Sequence, residues 1–526
     1  MERLTRSLRT VGLGLALTLV ASVLVAGPTT ADAGQSDTLR VIGGSELSDL
    51  APILASAARA TGVNVVLDYS GSLDGAEKIA QGTDADAAWF ASDKYITLAG
   101  AASKVLEQRN TMLSPVVVGV KQSVADRLGW TGKPISWQDI ADAAASGQFR
   151  YAMTNPTASN SGFSALVGVA DAFAGGQALS ASTIDADALR RFLSGQSLTS
   201  GSSGWLAESY AKSERDLDGI INYESVLLGL NASGTLREDL TLVYPTEGIV
   251  TAEYPMMLLK NGKRAAFEKL TKYLTKPSVQ ARIQKVTGRR AVTPGVKPDH
   301  RFPTGLLVEA AFPANLDVVQ QLLDQYQSEL RRPASTVYVL DLSGSMQGDR
   351  LARLKQAMLG LAGVDTSFTG KFSRFAPREK VTLITFSTDV IGTDTFTIDS
   401  NDPASPSLRA VRSYITNLGA GGNTAIYSAL RRADAVAAQL SAADANAYTS
   451  IVLLTDGENN QGITPDSYLR QLKSTARGAR TRTFTVLFGE ANPVELQSVA
   501  DATGGKVFDA RDANLSSVFK EIRGYQ

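Results

Sequence analysis

The residues of this sequence whose types and spacing best suit chemistry are two carboxylates and three hydroxyls. Asp341, Ser343 and Ser345 follow one apolar, β-branched run, Thr424 follows a glycine-rich segment, and Asp456 ends a second apolar run. Ser343 and Ser345 are two residues apart, so they face the same side of an extended loop. Anionic and neutral oxygens are the donors that small hard cations prefer. The sequence therefore predicts a site for Mg²⁺ or Mn²⁺ at the carboxyl ends of two buried strands.

The spacing of these five residues resembles the metal-ion-dependent adhesion site (MIDAS) of von Willebrand factor type A (VWA) domains. The resemblance implies that the three hydroxyls coordinate the metal directly and that the two carboxylates do so directly or through water. It also implies that a protein partner completes the coordination with a Glu or Asp side chain. We expect the loop that carries Asp341 to be exposed.

A second Asp-x-Ser-x-Ser pattern begins at Asp68 and ends at Ser72. The residues 83 and 115 positions after Asp68, which correspond to the third hydroxyl and the second carboxylate of the first set, are Tyr151 and Thr183. Asp and Ser are also common in turns, so the pattern alone is weak. We predict a metal site only in the copy that all three segments complete.

Residues 334–526 alternate strand-length apolar runs with helix-length segments, which indicates an α/β fold. The predicted strands are Ser335–Leu342, Val381–Phe386, Gly392–Ile398, Ile451–Thr455, Thr483–Phe488 and Lys506–Asp509. The predicted helices are Asp349–Leu361, Ser407–Asn417, Thr424–Ala443, Asp466–Arg477, Pro493–Ala502 and Leu515–Ile522. This order predicts a doubly wound, Rossmann-like VWA domain. The metal-site residues then lie at or beyond the carboxyl ends of strands, where open α/β sheets bind ligands.

Residues 37–330 form a second α/β region, in which strand-like runs end in glycine- and serine-rich loops before helices. The order and spacing of these segments resemble type 2 periplasmic substrate-binding proteins, whose two lobes close on a solute. The resemblance implies a two-lobed domain whose cleft holds a small oxyanion or carboxylate against helix N-termini and hydroxyls. The candidate ligand-binding residues are Ser45, Ser70, Ser72, Ser159, Ser161 and Tyr223. The alternative is that these residues only cap helices.

Charge and residue usage exclude several classes of function. Lys plus Arg and Asp plus Glu number 52 each, which does not suggest nucleic acid as a partner. The chain has no cysteine, so it forms no disulfide and no thiolate metal site. Its one histidine, His300, lies in a polar segment and leaves little material for Ser-His-Asp catalysis or zinc sites. We therefore predict that the protein is not an enzyme.

The first 33 residues have the layout of a secretory signal peptide. Three arginines precede an apolar run, Val11–Ala26, and a small-residue cleavage site, Ala31-Asp32-Ala33, follows it. The run of 16 residues is shorter than the roughly 20 that a membrane-spanning helix needs. We expect a mature chain that begins near Gly34, acts outside the cytoplasm and has no membrane span. An uncleaved N-terminal anchor is the alternative.

These features favour an extracytoplasmic binding protein. Its VWA domain would bind a protein partner through Mg²⁺, and its N-terminal domain would bind or sense a small polar solute. One alternative is the solute-binding component of an ABC-type transport system with the VWA domain as an accessory. Another is a chelatase-like or other enzyme-associated subunit, although a signal peptide argues against complexes that act inside cells.

Overall fold

A computed structural model describes residues 37–526 of the chain, apart from residues 314, 477–478 and 512–513. The predicted signal peptide, residues 1–33, lies outside the described residues. Residues 37–526 pack as one body. Among the helices of this described part, none is long and apolar enough to cross a membrane.

Strands and helices are interspersed along the whole described chain, which agrees with the α/β fold that the sequence predicts. The strands are β1 (Asp37–Gly43), β2 (Val63–Tyr69), β3 (Ala87–Trp89), β4 (Glu107–Asn110), β5 (Ser114–Lys121), β6 (Tyr151–Met153), β7 (Gln196–Leu198), β8 (Gly219–Tyr223), β9 (Leu240–Val243), β10 (Thr251–Ala252), β11 (Pro255–Leu258), β12 (Ala334–Asp341), β13 (Lys380–Phe386), β14 (Val390–Thr397), β15 (Tyr448–Thr455), β16 (Arg482–Leu487) and β17 (Val507–Asp509). The α-helices are α1 (Ala51–Thr61), α2 (Ser72–Gln81), α3 (Lys94–Leu98), α4 (Gln122–Leu128), α5 (Trp137–Ala145), α6 (Asn160–Phe173), α7 (Ala186–Leu193), α8 (Ser203–Ser213), α9 (Glu224–Ser233), α10 (Arg264–Leu274), α11 (Pro277–Thr287), α12 (Leu316–Gln325), α13 (Asp349–Leu359), α14 (Phe368–Ser373), α15 (Pro406–Thr416), α16 (Ile426–Ala443), α17 (Pro465–Ser474), α18 (Pro493–Thr503) and α19 (Leu515–Arg523).

The first two sheets define two lobes, because the chain crosses between them twice. The first sheet has the strand order β2-β1-β3-β11-β4, and the second has β10-β5-β8-β6-β7 with β9 paired to β5. The chain leaves the first sheet after Asn110 and returns to it at Pro255. In the first sheet β1 is parallel to β2 and β3, whereas β11 is antiparallel to β3. The predicted two-lobed α/β architecture is confirmed.

The third sheet is doubly wound, with the strand order β14-β13-β12-β15-β16-β17. Every pair of neighbours is parallel except β13 and β14. All residues of the central strand β12 are buried, because helices cover both faces of the sheet. Tyr338 and Leu340 pack with α13, α15 and α19 on one face, and Val337 and Val339 pack with α16 and α18 on the other. This alternation follows from the two-residue period of a strand.

Several helices of the third-sheet domain begin where the sequence places a capping side chain directly before proline. A side-chain oxygen at the N-cap accepts a hydrogen bond from a free N–H of the first turn, and proline at the next position has no N–H to leave unpaired. Helices α15, α17 and α18 begin in this way after Ser405, Thr464 and Asn492. Local chemistry therefore explains why the predicted starts of these helices are accurate to within one residue.

The connection between the two-lobed domain and the third sheet belongs to the hydrophobic core of the two lobes. Helix α12 continues into a π-helical turn, Tyr326–Leu330. Val319, Leu322 and Tyr326 are buried in the same apolar cluster as the lobes. This segment thus packs on the domain that precedes it in the chain.

A buried carboxylate holds the end of this connection against the third sheet. Glu379 lies directly before β13 and is 1% exposed. It forms one ion pair with Arg331, which lies at the end of the connection. It forms a second with Arg523, the last residue of α19, whose Nη2 atom lies 2.8 Å from Oε1 of Glu379. Burial alone would raise the pKa of Glu379, but the two guanidinium groups hold that pKa below its ordinary value.

Asp434 in the contact between α16 and α17 gives a testable pH dependence. Burial raises the pKa of Asp434 to about 6, although a 3.0 Å hydrogen bond from the Tyr468 hydroxyl acts in the opposite direction. The folded state thus holds this proton more tightly than the unfolded state, so the Asp434 contribution to stability is lost as pH rises from about 4 to about 6. We expect Asp434→Asn, relative to the parent, to gain about 1–2 kcal/mol of unfolding free energy between pH 4 and pH 7, measured by urea denaturation. The exposed Asp501→Asn serves as control; an equal gain in both variants would contradict the role of Asp434.

Candidate functional site

The two carboxylates of the predicted metal site leave neighbouring parallel strands at the same edge of the third sheet. In the register of β12 and β15, Leu340 lies opposite Leu454. Asp341 ends β12, and Asp456 follows the last residue of β15. Because parallel strands end at one edge, both side chains reach the same group of loops.

The glycine-rich loop before α16 brings the third hydroxyl to this edge. The N–H of Gly344 donates to the carbonyl of Gly422 at 2.9 Å, which joins the loop after β12 to the glycine-rich loop. The N–H of Thr424 donates to the side-chain oxygen of Asn460 at 2.8 Å, which joins it to the loop after β15. Thr424 therefore stays in the loop, and α16 begins two residues later than predicted, at Ile426.

Hydrogen bonds connect the two carboxylates through the two serines. Asp341 Oδ1 accepts from the N–H of Ser343 at 2.8 Å, and its Oδ2 accepts from the hydroxyl of Thr455 at 2.6 Å. The hydroxyl oxygens of Ser343 and Ser345 are 3.1 Å apart. Ser345 donates to Oδ1 of Asp456 at 2.7 Å. The structure thus brings the oxygens of the two strand ends into one continuous cluster.

The expectation that Asp341 lies in an exposed loop is wrong. Asp341 is 0% exposed, and of the residues on its loop that belong to the cluster only Ser345 is open to solvent. Burial raises the pKa of Asp341, and the hydrogen bonds from Ser343 and Thr455 oppose that rise. Replacing Asp341 by alanine would leave these donors buried and unpaired, so asparagine is the better substitution for testing the site.

Arg350, in the first turn of α13, is a part of the cluster that sequence reasoning missed. Its Nη1 atom lies 2.6 Å from Oδ2 of Asp456. Gly489 allows this approach, since a Cβ there would lie 3.0 Å from Asp456 and 3.1 Å from the guanidinium carbon. One guanidinium therefore balances one of the two buried carboxylates. In the sequence, the only sign of this role is that Arg350 comes five residues after Ser345, at a helix start.

The donor set fits a hard divalent cation. Every side chain of the predicted set offers oxygen, either as carboxylate or as hydroxyl, which is the preference of Mg²⁺ and Mn²⁺. Among the residues that the structure describes, no group of three or more His, Cys, Asp or Glu side chains suits a metal ion. A soft-metal or carboxylate-rich centre is therefore not what this part of the chain offers.

One hydroxyl contact joins the two lobes across the cleft. Ser45, which follows β1 in the first lobe, lies 2.7 Å from Ser202 of the second lobe, oxygen to oxygen. Within the second lobe, Ser161, in the first turn of α6, lies 2.8 Å from Ser203, the first residue of α8. All four side chains are buried. Two of the six candidate residues, Ser45 and Ser161, thus contact the Ser202-Ser203 pair, which was not predicted, and only Ser45 does so from the opposite lobe.

Tyr223 lies beside the same cluster, next to Ser203 and Asn160. The side-chain amide of Asn160 donates to the Tyr223 hydroxyl at 3.1 Å. Burial raises the pKa of Tyr223 well above its ordinary value, and the nearby Glu46 carboxylate raises it further. The phenol therefore stays neutral and can both donate and accept a hydrogen bond.

The other three candidates have different surroundings. Ser159 is the N-cap residue of α6, but its hydroxyl makes no capping bond and lies 3.4 Å from that of Ser203. Ser70 donates to Asp74 at 2.7 Å and lines a cavity beside the cleft. Ser72 is the half-buried first residue of α2 and takes part in neither feature. The capping alternative therefore does not account for Ser159.

A buried carboxylate in the short 3-10 helix that follows β1 affects the charge of the cleft. Glu46 follows Ser45, and burial raises the pKa of its carboxyl group. A Cβ at Gly44 would lie 2.5 Å from both carboxylate oxygens of Glu46, so a larger residue there would force the Glu46 side chain to move. The neighbouring cation, Arg289, is paired with Asp49 at 2.6 Å. An anionic solute in this region would have to accommodate the charge of Glu46.

A cavity of about 240 Å³ lies at the mouth of the cleft. Its walls come from the first lobe, through Tyr69 and Asp74, from the second lobe, through Asn155 and Trp205, and from the third-sheet domain, through Lys520 of α19. A molecule that enters the cleft from this side would therefore contact three parts of the chain.

Two family models match this chain. Residues 39–286 match the family described as bacterial extracellular solute-binding protein. Residues 337–521 match the von Willebrand factor type A domain. The protein thus combines a solute-binding domain with a C-terminal VWA domain, as the sequence resemblances predict. No curated protein sequence matches the chain.

Solved structures resemble the two parts separately and loosely. The periplasmic binding protein AfuA from Actinobacillus pleuropneumoniae is 15% identical, with 56% of this chain and 98% of that chain covered and a TM-score of 0.46. The sulfate-binding protein SubI from Mycobacterium tuberculosis H37Rv is 17% identical, with 49% and 88% covered and a TM-score of 0.41. A von Willebrand factor type A protein from Catenulispora acidiphila is 22% identical, with 37% and 42% covered and a TM-score of 0.29.

The presence of both families supports the assignment of this chain to the extracytoplasmic binding proteins. The solute-binding family is extracellular by its description.

The hydroxyl of Thr455 gives a test of what positions the oxygens of the predicted metal site. It positions Asp341 but belongs to no predicted coordination bond, so Thr455→Val should leave the donor set complete and lower the affinity for Mg²⁺ about 10- to 100-fold. Titration calorimetry of the full mature chain with MgCl₂ measures this. The matched control is Thr382→Val, a buried threonine of β13 whose hydroxyl bonds Thr395 at 2.9 Å. If both variants bind Mg²⁺ as the parent does, the hydrogen bond to Asp341 has no role in the site.

Proposed function

We propose that this extracytoplasmic protein binds a partner protein through a metal ion in its VWA domain, and that its N-terminal domain binds a small polar solute. The observation that carries the proposal is the continuous oxygen cluster that joins Asp341, Ser343, Ser345 and Asp456. Loops from two parallel strands build this cluster at the edge where α/β sheets bind ligands.

The residues proposed to hold Mg²⁺ or Mn²⁺ are the five that the sequence singles out. The hydroxyls of Ser343, Ser345 and Thr424 would supply neutral oxygens, and Asp341 and Asp456 would supply the anionic ones. When bound, the ion would act as an electrophile for one further oxygen ligand. A carboxylate from the partner is the natural ligand, because the site carries only two carboxylates and Arg350 already balances one of them.

Ser345 supports access for such a partner, since it is exposed while the rest of the cluster is buried. Gly419 and Gly421 in the adjoining loop have no atoms within 4 Å of where a Cβ would lie, so that approach is open as well. Arg350 is only partly buried, with 34% of its side chain exposed. A partner carboxylate would therefore meet a cationic rim beside the metal.

The proposal assigns binding rather than catalysis. The side chain of the single histidine, His300, is 93% exposed and lies 3.3 Å from Asp299, in neither of the two clusters. The hydroxyls of Ser45 and Ser161 lie within hydrogen-bonding distance of other hydroxyls, those of Ser202, Ser203 and Thr154, which are not bases. An activated nucleophile needs an adjacent base, which these serines do not have in the described part of the chain.

Partner binding should depend on the metal and on a carboxylate. On an immobilised peptide array that pairs each Glu-containing peptide with its Gln counterpart, we expect the full mature chain to bind a subset of the Glu peptides in MgCl₂. That binding should disappear in EDTA, return with added Mg²⁺, and fall at least about tenfold in Asp341→Asn, because the ion loses an anionic oxygen. The exposed Asp501→Asn is the control. Equal capture of Glu peptides in EDTA would mean that the metal does not mediate binding.

Solute binding should respond to the charge of Glu46. A thermal-shift screen of the mature chain against sulfate, phosphate, acetate, glycine and glucose detects any ligand of the folded state, since binding at a hundredfold excess over Kd stabilises it by about 2.7 kcal/mol. We expect Ser202→Ala to weaken binding of the hit and the exposed Ser474→Ala to leave it unchanged. Glu46→Gln should strengthen an anionic hit and weaken a cationic or zwitterionic one. If no member of this set stabilises the chain, a small polar solute of these classes is not the ligand.

A further inference from the structure

The VWA domain contacts the first lobe through a buried carboxylate. Glu77 on α2 is 7% exposed and accepts a 3.2 Å hydrogen bond from the N–H of Thr369, at the start of α14. The hydroxyl of Thr369 also donates to Glu77. Lys520 of α19 lies 4.0 Å from the same carboxylate and donates to the Thr369 hydroxyl at 2.7 Å. Two elements of the VWA domain thus meet one helix of the first lobe.

The VWA domain contacts the second lobe through backbone and aromatic groups. A Cβ at Gly524, directly after α19, would lie 2.7 Å from the Cα atom of Gly201, in the loop before α8. Lys506, beside β17, lies 4.1 Å from the ring centre of Trp205 in α8. Trp205 also packs against the apolar cluster of the VWA domain. We call Thr369, Lys506, Lys520 and Gly524 together the clasp.

The two lobes contact each other directly beneath the clasp. The N–H of Leu73, in the first turn of α2, donates to the carbonyl of Ala158 in the second lobe at 3.3 Å. A Cβ at Gly71 would lie 3.2 Å from the carbonyl of Gly201. Gly201 therefore touches the first lobe on one side and the VWA domain on the other. The lobes cannot separate at this point while the clasp contacts both of them.

We propose that the clasp of the VWA domain keeps the two lobes closed over the cleft. The lobes open only when the clasp leaves at least one of them. The clasp contacts lie on both sides of the cleft, so lobe separation must break either the Glu77 contacts or the Gly201 and Trp205 contacts. Closure by the clasp does not depend on any solute. The consequence for solute entry rests on the proposed function. If the cleft binds a solute, opening of the lobes and release of the clasp are linked equilibria.

The cavity at the mouth of the cleft lies at this junction, with Lys520 and Gly524 of the clasp in its walls. A solute that reaches the cleft from the cavity must pass the clasp. Docking of the VWA domain and access to the cleft are therefore controlled by the same contacts.

Gly524 offers a substitution that acts on the clasp alone. Its φ of −65° is one that any residue adopts, so a side chain brings no backbone strain, and the nearest obstacle is the Cα atom of Gly201. Gly524→Leu should therefore displace the clasp. The control is Gly229→Leu in α9 of the second lobe, where a Cβ would meet nothing within 4 Å.

Hydrogen–deuterium exchange of the full mature chain, without solute, tests the proposal. We expect amides of residues 71–77 and 201–205 to exchange at least about tenfold faster in Gly524→Leu than in the parent or in Gly229→Leu. Thr369→Val, which removes only a hydroxyl, should accelerate residues 71–77 in the same direction and keeps the test valid if the leucine variant does not fold. Unchanged exchange of both segments in the folded variants would overturn the clasp. Because no solute is present, this outcome is independent of whether the solute screen succeeds.

Discussion

The arrangement of the VWA domain against the two lobes depends on one buried carboxylate, Glu379. It pairs with Arg331 at the end of the connection from the lobes and with Arg523 at the end of α19. Arg523 also donates to the carbonyls of Ser373 and Arg374 at the end of α14. The two helices that reach the lobes, α14 and α19, and the chain that leaves the lobes are thus fixed to the same point. Removing one member of a buried ion pair costs about 3–5 kcal/mol, because the remaining charge stays buried and unpaired. The position of the two helices over the cleft therefore depends on an interaction at their C-terminal ends.

Sequence reasoning predicts which oxygens meet at this edge of the sheet, because the segments that carry them are local. A buried strand that ends in a polar residue defines both an element and the position of a side chain, and parallel pairing brings Asp341 and Asp456 to one edge. Proline and capping residues set the helix starts in the same local way. Arg350 and Thr455 could not be assigned roles from the sequence, because each acts through a contact more than a hundred residues away in the chain. The same limit hid the burial of Asp341, which depends on how three loops close over it.

The cleft illustrates a second limit. Hydroxyls that cap helices and hydroxyls that bind ligands are the same residues in a sequence, and only the direction of each side chain separates the two roles. Ser45 and Ser161 direct their oxygens at Ser202 and Ser203, whereas Ser70 bonds Asp74 in the first turn of α2. A hydroxyl run precedes α8 in the sequence, from Thr199 to Ser203, and offered the signal that these serines belong to the cleft. The contacts between the VWA domain and the lobes have no such signal in the sequence. They join two glycines, two lysines, a glutamate, a threonine and a tryptophan, all of which are ordinary in their own segments.

The apolar cluster of the lobes also contains Phe372 of α14, and Phe368 packs against it. Together with α12, these aromatic side chains mean that the boundary between two sequence families does not coincide with a boundary between two hydrophobic cores. If the VWA domain were removed, this core would lose its phenylalanine side chains, and the lobes would expose apolar surface to water. Each domain therefore shields part of the other from solvent. Exchange of either domain as a genetic module would require compensating changes on the opposite side.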